Sequence, residues 1–216
     1  DNIISDIDLS KNLVSARNFG SEESGRANST TYESNGHEVV FLHMNAELFF
    51  PELIQKLYAL AEEADREHGW GIWEALRQKG LTSPHIRCIE HITYSNTTGS
   101  SNQSLAQSLG WHDDSESLLT ISVMLSPDVS YSGGSFEIKK GGKCGVEETQ
   151  ALSLGDVLIW ESWRTHRVTP ILSGSRSVLV MELWEFEANT DDFEGRPSAP
   201  NSDLIEEVAA EVRAKY

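Results

Sequence analysis

The 216-residue chain has little cysteine, little positive charge and no long apolar run. Two cysteines, Cys88 and Cys144, cannot build a disulfide framework or a CxxC zinc knuckle, and leave only a single bridge open. Lys and Arg number 17 against 34 Asp and Glu, a formal net charge of −17. A protein that grips nucleic acid needs a basic footprint to displace counterions from phosphates, and a polybasic membrane anchor needs the same sign of charge. Both classes are excluded as expectations. An acidic field would attract a cationic peptide or small cation, but it also serves solubility alone. No apolar stretch approaches the ~20 residues of a bilayer-spanning helix. No targeting signal is visible in a chain that begins at Asp1 and is read as trimmed, so it is expected to be soluble, with its compartment unassigned. Sequons at Asn28, Asn96 and Asn102 are weak pointers to a secretory route in a Ser/Thr-rich chain.

What is present reads as one domain with loose ends. Residues 1–36 are polar, and GSEESGRANSTTYESNG (20–36) is expected to be flexible or draped over the surface. The expected domain spans 37–188. HEVVFLHM (37–44) reads as a strand. PELIQKLYALAEEADREHG (51–69) reads as a helix, with Pro51 in its first turn and apolar residues at helical spacing; a second short helix is expected within 70–80. From His85 onward the texture becomes short β-like runs between Gly and Ser. These are HIRCIEHITY (85–94), LLTISVML (118–125), GGSFEIKK (133–140), ALSL (151–154), DVLIW (156–160) and RSVLVMELWEF (176–186). Such spacing suggests a sandwich or closed β-architecture of jelly-roll type, mainly β with flanking helices. The polar 189–216 segment ends in SDLIEEVAAEVRAKY, expected to be a terminal helix capped by Ser202.

One short stretch carries chemistry. GWHDDSES (110–117) sets His112 two residues before Asp114, and in an extended segment such residues point to one face. A third ligand is needed, and His166 lies 52 positions after Asp114, just past the apolar run DVLIW. Two histidines and one carboxylate on one face of a metal suit non-haem Fe(II) oxygenases, which keep the remaining positions open. Arg176, ten residues after His166, opens the most apolar strand. A guanidinium there needs an anion: either Glu182 in an internal salt bridge, or a carboxylate ligand gripped by the guanidinium fork. His37, His43, His68, His85 and His91 read as surface or structural histidines.

From Arg87 to Trp184 the sequence resembles the Fe(II)/2-oxoglutarate-dependent dioxygenases, on their prolyl 4-hydroxylase-like branch. The pieces that carry the resemblance occur in the family's order: Tyr94 in ITYSNTTG, HDD at 112–114, TISVML from Thr120, YSGGSFEI, SLGDVLIW, and HRVTPILSGSRSVLVMELW. The resemblance implies a double-stranded β-helix core with helices packed on one side. It implies that His112, Asp114 and His166 bind Fe(II), that Arg176 holds the distal carboxylate of 2-oxoglutarate, and that ascorbate serves as reductant. Tyr94 would line the cosubstrate pocket or be a core aromatic; Thr120 would sit near the cosubstrate or be core filler. Asp113 and Glu116 are read as solvated.

The resemblance leaves the substrate open. The loop SSNQSLAQSLG (100–110) departs from the family pattern, and GGKCG (141–145) is also idiosyncratic. Asp114 disfavours a halogenase, which gives up this carboxylate. The lack of a second arginine soon after Arg176 disfavours nucleic-acid demethylation. Hydroxylation of a prolyl or lysyl residue in a protein or peptide is the family-level expectation, with a free amino acid or small metabolite next. A silent jelly-roll binding module and a zinc hydrolase using the same three ligands are the rivals. Oligomeric state is not legible.

Overall fold

The structure is a computed structural model that describes residues 29–31, 37–43, 46, 50–98, 104–140 and 146–187. The expected C-terminal helix, most of the N-terminal segment, and Cys144 lie outside the described residues. Two helices precede most of the strands. Helix α1 (Pro51–His68) starts on its proline and ends at Gly69, which takes the left-handed conformation (φ 65°) that lets the chain turn away. Helix α2 (Ile72–Gln78) follows almost at once. Its N-terminal residue Gly71 has no side chain to cap with. Asp65 of α1 does so instead, accepting the N–H groups of Ile72 and Trp73 at 2.9 and 3.1 Å.

Among the described residues, twelve strands form two antiparallel sheets. In chain order they are β1 (Ser29–Thr31), β2 (Glu38–Phe41), β3 (His85–Thr98), β4 (Ser104–Ala106), β5 (Leu109–His112), β6 (Leu119–Met124), β7 (Tyr131–Gly133), β8 (Phe136–Lys140), β9 (Val146–Gln150), β10 (Val157–Glu161), β11 (His166–Val168) and β12 (Ile171–Trp184). The larger sheet runs β1-β2-β3-β12-β6-β10, with β4 beside β3 and β7 beside β12; the smaller runs β5-β11-β8-β9. The double-stranded β-helix expected from the sequence is present, with helices on one side.

Strand alternation divides the core in two. Leu119, Ile121, Leu179, Met181 and Leu183 pack with Leu53, Leu57, Ile72 and Leu76 of the helices. The opposite faces of the same strands turn inward, where Tyr94, Met124 and Val178 meet Phe136, Ile138 and Val168 of the smaller sheet. Strand β6 is therefore buried at all six positions. The large sheet is a partition: its helix side supplies stability, and its inner side bounds the site.

Two expectations about strands are corrected. ALSL (151–154) is irregular, and the strand in that region is β9, the polar run VEETQ just before it. As an edge strand paired only with β8, β9 has no need of the apolar alternation that advertises a strand. Ser29–Thr31, inside the segment expected to be flexible or draped over the surface, pairs with Glu38–Val40 as a strand.

Candidate active site

The smaller sheet brings the two site histidines together. Strands β5 and β11 are antiparallel neighbours, and His112 and His166 are direct partners in their register. Their rings lie 4.1 Å apart between centroids. Asp114 follows in the loop after β5 and is not part of the extended strand, so alternation alone does not aim it. Its N–H donates to the Ser162 carbonyl at 2.8 Å, which turns the loop inward. Asp114 Oδ1 then stands 3.8 Å from His112 Nε2, and Oδ2 stands 3.6 Å from His166 Nε2. One potential ligand atom from each of the three residues falls within 4.8 Å of the others.

The donor chemistry fits a divalent metal. A carbonyl oxygen cannot donate, so Nδ1–H of His112 donates to Gly110 O at 2.7 Å, and Nδ1–H of His166 donates to Arg164 O at 2.9 Å. In the neutral rings this places the lone pair on Nε2, the atom facing Asp114 in both cases. His166 and Asp114 are buried while His112 is part-exposed, leaving one side of the cluster open. Phe136 and Trp160 wall His166, with ring centroids at 5.5 and 5.0 Å. On the outer face of the same sheet the Trp111 ring lies 4.6 Å from Lys139 Nζ and 4.5 Å from Arg167 Cζ, which anchors the residue just before His112.

Arg176 stands at a cavity of about 290 Å³, lined also by Tyr131, Gly134, Ser135, Phe136 and Gln150. Phe136 thus touches both the cavity and His166. Arg176 is only 2% exposed, and its Nε and Nη1 have no hydrogen-bond partner among the described residues. Burial lowers its pKa from the ordinary arginine value, and Tyr94 and Tyr131 pull partly in the other direction. Tyr94 is its cross-strand partner, with the guanidinium carbon 5.6 Å from the Tyr94 ring centroid. The cavity depends on Gly134, at φ 64°: a Cβ there would lie 2.3 Å from Ile171 Cδ1 and 3.1 Å from Arg176 Cδ.

Glu182 is not the partner of Arg176. It accepts from Arg87 Nη1 at 2.8 Å and from Ser117 Oγ at 2.6 Å. Glu116, expected to be solvated, is an ion-pair partner of Arg87 as well; Asp113 is exposed. Thr120 is buried and faces Asp114, not the cavity: its hydroxyl donates to Asp114 Oδ2 at 2.9 Å and contacts Ser162 Oγ at 2.9 Å. Ser162, Tyr131 and Gln150 went unmarked in the sequence. Nothing in WESW or YSGG signals a role, because each acts through long-range packing.

The double-stranded β-helix thus brings two histidines and an aspartate together as potential metal ligands, with a buried arginine at the neighbouring cavity. Comparison with known proteins bears on the family. The chain is 30% identical over 148 residues to a PKHD-type hydroxylase of Synechococcus sp. (strain CC9605), covering 65% of this chain and 64% of that protein. It is 42% identical over 62 residues to a PKHD-type hydroxylase of Hyphomonas neptunium (strain ATCC 15444), covering 29% and 26%. The chain therefore spans less than two thirds of the length of these relatives. No protein-family model matches it. Among solved structures, the non-heme alpha-ketoglutarate-dependent epimerase SnoN from nogalamycin biosynthesis superposes with a TM-score of 0.50 at 15% identity, over 91% of this chain and 85% of that one; this is a likeness of fold. The chain is thus similar in sequence to PKHD-type hydroxylases over 148 residues, and shares the fold of a non-heme alpha-ketoglutarate-dependent epimerase.

Proposed function

We propose that the chain is an Fe(II)- and 2-oxoglutarate-dependent hydroxylase acting on a prolyl or lysyl residue of a protein or peptide. The observation that carries the metal and cosubstrate assignment is the pairing of two features. Nε2 of two tautomer-fixed histidines and a buried carboxylate converge within 4.8 Å. In the same barrel interior, a buried arginine keeps two donors without partners. The prolyl or lysyl choice rests on the resemblance alone, and hydroxylation on the similarity to PKHD-type hydroxylases. An acidic surface suits a cationic peptide.

His112, Asp114 and His166 would hold the metal through Nε2, a carboxylate oxygen and Nε2. Arg176 would take the distal carboxylate of 2-oxoglutarate on its unpaired edge, with Tyr94 packed against the guanidinium. Charge balance supports the match. A divalent ion with Asp114 leaves one positive charge, Arg176 adds a second, and 2-oxoglutarate brings two negative charges. A buried site that ends neutral avoids the penalty of an uncompensated ion. Iron with bound 2-oxoglutarate supplies the redox chemistry, in which O₂, 2-oxoglutarate and a substrate C–H give succinate, CO₂ and the hydroxylated product. Phe136 and Trp160 keep water from one side of His166, and the part-exposed side at His112 gives the substrate its approach. Ascorbate would keep the iron reduced between turnovers.

The test is succinate formation by the purified chain with Fe(II), 2-oxoglutarate and ascorbate, with and without Pro- and Lys-containing peptides. Wild type should form succinate, faster with the right peptide, and His166→Ala should form none. Equal succinate from both proteins would overturn the assignment of the metal site. Stimulation by a free amino acid and by no peptide would overturn the substrate class alone.

A further inference from the structure

We propose that Ser162 and Thr120 form a relay of two hydroxyls that fixes the Asp114 carboxylate for metal binding, a positioning role that rests on the metal-site reading above. Thr120 Oγ1 donates to Asp114 Oδ2 at 2.9 Å. Threonine has one hydroxyl proton, and that bond uses it. The 2.9 Å contact between the Thr120 and Ser162 hydroxyls therefore has Ser162 as donor. The direction of the chain is Ser162 to Thr120 to Asp114. Ser162 also accepts the Asp114 backbone N–H at 2.8 Å on its own carbonyl. It thus grips Asp114 twice, once through the main chain and once through Thr120.

The placement suits this task. Asp114 sits in a loop, and a loop alone does not hold a carboxylate to the tolerance a metal requires. Thr120 sits on β6, between β10 and β12 of the large sheet and opposite Trp160 and Glu182, so its backbone is braced on both sides. Thr120 is 1% and Ser162 0% exposed, so water does not compete for either hydroxyl. With Oδ2 engaged, the carboxylate cannot rotate about Cβ–Cγ or drift from the two Nε2 atoms without breaking a buried hydrogen bond. The two histidines carry the equivalent restraint from the Gly110 and Arg164 carbonyls. All three ligands are then oriented before any metal arrives.

The test uses Co(II) alone, titrated into the metal-free full chain and followed by its visible absorption and by calorimetry. Removing a group that orients a ligand typically costs roughly 10–100-fold in metal affinity. Thr120→Val, which keeps the shape and loses the hydroxyl, should fall in that range and change the Co(II) spectrum. Thr120→Ser should restore wild-type affinity and spectrum. Ser162→Ala should weaken binding less than Thr120→Val, because the backbone grip survives; it carries the test if Thr120→Val does not fold. A purely structural role would lower the melting temperature and leave Co(II) affinity and spectrum alone, and that result overturns the relay. If His166→Ala loses Co(II) while Thr120→Val binds as wild type, the relay fails and the metal site stands. If His166→Ala binds as tightly as wild type, both fail.

Discussion

Two buried arginines stand on the paired strands β3 and β12, and they handle their charge in opposite ways. Arg87 is 5% exposed and fully answered: Glu182, Ser117 and Glu116 all meet its guanidinium, and the Trp184 ring centroid lies 5.9 Å away. Arg176 is 2% exposed and, among the described residues, has no ion-pair partner and leaves Nε and Nη1 without hydrogen-bond partners. The first is a staple joining the start of β3, the loop after Asp114 and the end of β12. The second carries a standing cost that only an anion from outside removes. A part-buried base, His43, shows the alternative. His43 gives up its charge: burial lowers its pKa to about 4, with the Ile89 backbone pulling the other way. Arginine cannot lose its proton in the same pH range. An unanswered buried arginine is therefore a stronger sign of a ligand than an unanswered buried histidine.

The contrast can be broken at its strongest point first. Arg87→Met should cost about 3–5 kcal/mol of stability, since it leaves Glu182 buried without its cation. Urea unfolding measures this, and Arg87→Met with Glu182→Leu should recover most of the loss. Arg176→Met should behave in the reverse way. Its stability without ligand should hold or rise, while its affinity for 2-oxoglutarate with Mn(II) falls by about 3 kcal/mol, roughly a hundred-fold or more, in calorimetry. His43 supplies the pH arm. Between pH 6.5 and about 4 the unfolded chain protonates this histidine and the folded chain does not, so stability is lost as the pH is lowered through that window. The full effect is about 3 kcal/mol. His43→Gln should flatten the slope of unfolding free energy against pH there. The smallest effect is ligand stabilisation. With Mn(II) present, 2-oxoglutarate at 100 times the wild-type Kd should stabilise wild type by about 2.7 kcal/mol and Arg176→Met by about 0.4 kcal/mol or less in a thermal melt.

The contrast also shows what a linear sequence reveals. A closed β-architecture of jelly-roll type was legible because strands buried on two faces, such as β6 and β12, read as apolar runs between Gly and Ser; the double-stranded β-helix itself came from the resemblance. His112, Asp114, His166 and Arg176 stood out because their residue types and order are unusual for a core. The partner of Arg176 was not legible. Glu182 lies on the same strand and looked available, and only the fold shows that Arg87, 95 positions away in sequence, takes it. The same distance hides the contact between Thr120 and Ser162, 42 positions apart. Strand β9 was hidden for a different reason: VEETQ sits at a sheet edge, where nothing selects for apolar residues.

The central claim is that the His112–Asp114–His166 cluster and Arg176 serve one site for Fe(II) and 2-oxoglutarate. The most direct measurement is an oxygen-free titration of the Fe(II)-loaded chain with 2-oxoglutarate, following the visible charge-transfer absorption of a keto acid chelated to Fe(II). A saturable band in wild type, shifted to far higher 2-oxoglutarate in Arg176→Met and absent in His166→Ala, is the predicted result. No band in wild type, or the same half-saturation in Arg176→Met, would contradict it.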